Sequence, residues 1–115
     1  MDTKHAGRMI TDEQVHSAME FLRDSSHKIG KARERARLAE HMLKHIEALE
    51  FKKSDAKSAE AKKADARTSD RFVEAITEDA VATGEMAKIY ALREAAAAVV
   101  ESWRTESATL RSMKL

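Results

Sequence analysis

The chain has 115 residues with 21 Lys/Arg and 20 Asp/Glu, and the resulting formal charge of +1 excludes a nucleic-acid binder that works by bulk positive charge. No cysteine is present, which removes disulfide staples and thiolate chemistry and fits a reducing compartment such as the cytoplasm. Proline is absent and glycine occurs three times, so the turns that a β-sandwich or an α/β fold needs are lacking, and the helix formers Ala, Glu, Lys, Arg, Met and Leu dominate.

Residues 1–10 carry no periodic pattern and read as a flexible tail, with no apolar run of signal-peptide length. Thr11-Asp12-Glu13-Gln14 then has the form of a capping box. The Thr11 hydroxyl accepts from the Gln14 N–H while the Gln14 side chain reaches back, and Ile10 and Val15 are spaced as a hydrophobic staple.

Val15, Leu22, Ile29, Ala36 and Leu43 recur every seven residues, with Ala18, Ala32, Ala39 and Ile46 between them. The spacing predicts one long helix over about 12–51. Gly30 lowers its propensity by about 1 kcal/mol relative to alanine. Two readings follow: a tolerated glycine, or a break between Ser25 and Gly30. On this helix Asp24–Lys28 and Glu40–Lys44 stand four apart in the favourable order.

Residues 52–68 hold Ala, Ser, Lys and Glu without a large apolar anchor. They read as a polar connector or partial helix with a turn near Thr68. Ser69 then resembles an N-cap with Asp70 at the positive helix end. A second long helix is expected over about 70–107. Ile89, Ala96, Trp103 and Leu110 continue a seven-residue seam there, but Phe72 and Ile76 sit on another stripe, so a stutter or bend is expected at Thr83-Gly84. Glu85 and Glu106 fall on or beside this seam, either specifying register or lying at its edge. Beyond Ser107 the helix is expected to fray, although Leu110 and Met113 keep the phase.

Two seams joined by a polar link predict an all-α, elongated antiparallel helical hairpin or coiled coil, with residues 11–115 as one helical domain. Aromatics make up only 4% of the chain, so the core is thin and a homo-oligomeric helical bundle is expected. No stretch approaches the roughly 20 apolar residues of a membrane span. No membrane partner is expected.

His41 and His45 share a helix face, but Met42 stands where a zinc-protease helix needs glutamate. They read as structural histidines, and neither a metal nor a cofactor is expected. The glycines are too dispersed for a phosphate loop and no nucleophile elbow is recognisable, so an enzyme is not expected. Residues 31–67 hold eleven Lys/Arg against seven Asp/Glu. Lys28, Lys31, Arg33, Arg35, Arg37, Lys52 and Lys53 are candidate phosphate contacts, although Phe51 alone could stack a base. The competing reading is a solvated face. Trp103 and Arg104 are a candidate protein-binding anchor, or Trp103 plugs one end of the hairpin.

Ser69-Asp70-Arg71-Phe72, the charged helix after it, Glu101-Ser102-Trp103-Arg104-Thr105-Glu106-Ser107-Ala108 and Arg111-Ser112-Met113-Lys114 resemble small helical phage and prophage accessory proteins. The resemblance covers about residues 65–115 and departs at Asp70, where that family has proline. It implies no catalytic residues. It implies instead an accessory protein from a recombination or DNA-metabolism gene cluster. The expected role is a non-enzymatic adaptor or inhibitor that covers a host or phage macromolecule. The alternatives are a nucleic-acid-binding accessory using the basic stripe 28–67, and a structural virion or assembly component.

Overall fold

The computed structural model describes residues 9–113. Four helices follow in order: α1 (Asp12–Asp24), α2 (Ser26–Lys53), α3 (Ala59–Thr68) and α4 (Asp70–Met113). There is no strand among the described residues. The all-α character expected from the composition is therefore observed. The flexible tail expected at 1–10 lies outside the described residues except for Met9 and Ile10.

The chain divides into two compact units. The first joins α1 and the start of α2 to the C-terminal part of α4; the second holds residues 29–87. The first pairs the C-terminal part of α4 with α1, and the second pairs its N-terminal part with α2.

In the first unit, Thr11 closes the capping box as expected. Its Oγ1 accepts from the Gln14 N–H at 3.1 Å and Gln14 Oε1 accepts from the Thr11 N–H at 2.8 Å. The Met9 and Ile10 N–H groups donate to Oε1 and Oε2 of Glu106, each at 3.1 Å. Glu106 thus works at the seam's edge as a clamp on two backbone donors. Val15 and Ala18 are buried on α1, opposite the α4 seam of Ile89, Arg93, Ala96, Val100, Trp103, Ser107 and Leu110.

The long helix expected over 12–51 is interrupted at Ser25. Gly30 is not the cause, since it lies inside α2 and a Cβ built there would meet nothing within 4 Å. Ser25 is buried and caps α1, its N–H donating to Phe21 O at 2.8 Å. Among the described residues Asp24 pairs with Arg23 at 3.1 Å, and the expected Asp24–Lys28 pair is not formed. The hydrogen bond to Asp24, then its charge, holds the Arg23 pKa above its ordinary value.

In the second unit, Ile29, Ala36, Ala39 and Ile46 of α2 are buried. They face Phe72, Ala75, Asp79, Ala82 and Met86 of α4, which are buried or half-buried. Ala36, Ala39 and Ala82 form the centre, with Met86 against them. Small side chains let the two backbones approach closely, and Ala82 is only 1% exposed.

α3 is bounded by serines. Ser58 Oγ accepts from the Ala61 N–H at 3.1 Å, and Ser69 Oγ accepts from the Phe72 N–H at 3.2 Å to start α4. Ser54 Oγ donates to Asp65 Oδ2 and ties the 54–58 loop to α3. Ala66, fully buried, is the anchor that a search for large apolar residues overlooked.

The stutter expected at Thr83-Gly84 is not found; α4 is helical throughout Asp70–Met113. Its seam keeps a strict three-four alternation from Phe72 to Leu110, with polar Asp79, Arg93 and Ser107 occupying core positions. Ile76, which with Phe72 suggested a second phase, is exposed, and so is Leu92. The helix also runs past Ser107, with Leu110 half-buried.

Candidate functional site

In the second unit a groove of about 410 Å³ opens between α2 and α4. It is lined by Ala39, Ile46 and Ala75, with Leu38 and Met42 beside them. Leu38 is 62% exposed and Met42 44%. They belong to the α2 face next to the buried seam, one helical turn apart. An apolar surface presented this way remains available to a further helix.

Charges surround the groove. Arg35 spans its end: Nη2 donates to Glu78 Oε1 at 2.7 Å and Nη1 to Glu85 Oε2 at 2.6 Å. The hydrogen bond to Glu78, then the charges of Glu78 and Glu85, raises the Arg35 pKa further above its ordinary value. Glu85 therefore sits at the seam's edge and joins α4 to α2. Arg71 and Glu74 complete the rim.

The basic stripe is divided by these contacts. Arg35 is engaged by two carboxylates, and Lys53 Nζ lies 3.8 Å from Glu50 Oε2. Arg33 and Arg37 line a second groove together with Glu40 and Asp79. Lys28, Lys31 and Lys52 are exposed. Lys62, further along the chain, lies over the Phe51 ring with Nζ 5.8 Å from its centre. The one aromatic ring in the stripe thus already has a cation on it.

Trp103 is half-buried at a seam position of the first unit, and its Nε1 donates to Asp12 Oδ1 at 3.4 Å. Arg104 is exposed with Nη1 3.7 Å from Glu101 Oε2. The two neighbours point to different surroundings, one to the helix pair and one to solvent.

His41 and His45 are both exposed on α2. Among the described residues no group of three or more His, Asp or Glu side chains is placed to hold a metal ion. No helix among them is long and apolar enough to cross a membrane.

Sequence reasoning missed the Leu38–Met42 groove. Its signal was available: both residues lie off the seven-residue seam yet one turn apart on a single face. Comparison with family models, curated proteins and solved structures finds no match to this chain.

Proposed function

We propose that this chain is a non-enzymatic helical adaptor or inhibitor that binds a protein partner through the α2–α4 groove of its second unit. The observation that carries the reading is the exposure of Leu38 and Met42 beside Ala39, Ile46 and Ala75. The occupant that fits is an amphipathic helix bringing apolar side chains at three- and four-residue spacing. Methionine suits such a wall because its unbranched thioether adapts to different ridges. Arg71 and Glu74 on the rim supply both signs of charge for orientation. The absence of cysteine supports action in a reducing bacterial cytoplasm, and the resemblance over residues 65–115 supports a phage or prophage origin.

Affinity capture from host lysate tests the reading, with the wild type and a Leu38→Asp/Met42→Asp variant run side by side, each with and without nuclease. The expected result is a protein retained by the wild type, insensitive to nuclease and lost with the variant. Retention that disappears with nuclease, or that survives the double substitution, overturns the groove as the binding site.

A further inference from the structure

On the other side of its buried seam, α4 carries a second stripe with the same periodicity. Val73, Ile76, Ala80, Thr83 and Ala87 alternate by three and four residues, contain no charge, and are all exposed. This stripe is offset by one residue from Phe72, Ala75, Asp79, Ala82 and Met86, which pack toward α2. One residue along an α-helix is a rotation of about 100°. A helix with two seams about that far apart matches a four-helix bundle, in which each helix touches two neighbours near right angles. Only the first neighbour, α2, is supplied by this unit.

We infer that the second seam is filled by the same stripe of another copy of this chain, packed antiparallel about a twofold axis. Four of its positions, Ile76, Ala80, Thr83 and Ala87, are self-complementary in size. A twofold axis passing beside α4, level with the midpoint between residues 81 and 82, sets Ile76 over Ala87 of the second copy and Ala80 over its Thr83, each larger side chain meeting a smaller one.

The charges beside the stripe agree with the same axis. Arg35 of α2 reaches Glu78 and Glu85, one on each side of that midpoint, and Ala36 packs on Ala82. The axis therefore passes beside α2 at the level of Ala36 and Arg37. Positions equidistant from it on the flanking row are Arg33 and Glu40, which line one groove with Asp79 and Thr83. The twofold sets Arg33 of each copy against Glu40 of the other, giving two symmetric ion pairs. A guanidinium has donors for more than one acceptor, so this contact adds to those within the chain. Arg37 approaches its own copy at the axis, where Glu40 and Asp79 lie beside it to offset the like charge.

Sedimentation equilibrium reads the result. The wild type is expected at twice the chain mass, and an Ile76→Asp/Ala80→Glu variant at the mass of one chain with its helical circular dichroism retained. A Leu38→Asp variant, altered on the α2–α4 groove, is expected to stay dimeric, which separates this inference from the adaptor reading. Arg33→Glu should raise the dimer dissociation constant about tenfold, or about 1.4 kcal/mol, since two exposed ion pairs become two like-charge contacts. Arg33→Glu/Glu40→Arg should restore it even if the stripe variant fails to fold. A wild type of single-chain mass overturns the inference. So does a folded stripe variant that remains dimeric, a dimer lost on Leu38→Asp, or a charge swap that does not recover association.

Discussion

Arg93 crosses the first unit to meet Ser25 where α1 ends. Its Nη1 donates to Ser25 Oγ at 2.5 Å and to Leu22 O at 2.8 Å. No carboxylate among the described residues pairs with this guanidinium. A half-buried cation in an apolar seam is thus satisfied by a hydroxyl and by a carbonyl near the end of α1. The helix break and the polar seam residue are one feature: the interruption gives Arg93 its acceptors.

Ser25→Ala removes one of those acceptors and is expected to lower unfolding free energy by about 1–2 kcal/mol, the range for a hydrogen bond to a charged group. Arg93→Met in the same background should return most of the loss, because an unbranched apolar side chain suits the seam and no longer needs an acceptor. Urea unfolding of the three proteins checks both steps. Equal stability of the wild type and Ser25→Ala would show that Leu22 O alone suffices.

Gly30 is expected to gain from a methyl group. A Cβ there meets nothing within 4 Å, and alanine in a helix interior is favoured over glycine by about 1 kcal/mol. Gly30→Ala should raise the thermal midpoint without changing the helical spectrum. A lower midpoint would show that this glycine has a role outside the helix's own geometry.

Ser107 is buried in the α4 seam, and its Oγ has no hydrogen-bond partner among the described residues. Burying an unsatisfied hydroxyl is unfavourable, so Ser107→Ala is expected to stabilise the chain by about 1 kcal/mol. Chemical denaturation with an unchanged slope is the measurement. A destabilised alanine variant would place a partner on the hydroxyl.

Arg35 joins α2 to Glu78 and Glu85 at the surface, so its contribution depends on screening more than on pH. Its pKa is raised by the Glu78 hydrogen bond and charge, then by Glu85. A cation with a raised folded-state pKa contributes below its unfolded value and loses that contribution only as pH climbs through the folded one. For arginine, both lie in strongly alkaline solution. The stability gap between the wild type and Arg35→Gln should therefore stay constant between neutral and mildly alkaline pH. It should narrow as salt rises past the ionic strength at which the Debye length is about 8 Å. Thermal melts across a salt series at two pH values test both parts.

The helical class and the α1–α2 seam were legible because apolar residues occupy nearly every core position from Val15 to Ile46. The α4 phase was obscured for a physical reason. Asp79, Arg93 and Ser107 occupy core positions, whereas Ile76 and Leu92 are exposed, so hydrophobicity alone points to the wrong stripe. Ala66 illustrates the same limit: it is completely buried, and its small side chain does not announce this in the sequence. The α2–α4 groove was hidden differently, because Leu38 and Met42 form a pair on one face and neither extends the seam. Ser25 was visible as a weak point only through its neighbour Ser26 and the nearby Gly30; the acceptor it offers to Arg93, sixty-eight residues away in the chain, has no local signature.

Serines mark the helix ends of this chain. Ser25, Ser58 and Ser69 cap the helices with φ values of −85°, −109° and −69°, all on the side open to any L-residue. None needs a glycine, and no imide bond is present to isomerise. Refolding from denaturant should consequently lack the phase of tens of seconds that prolines impose, leaving helix growth and docking to set its speed.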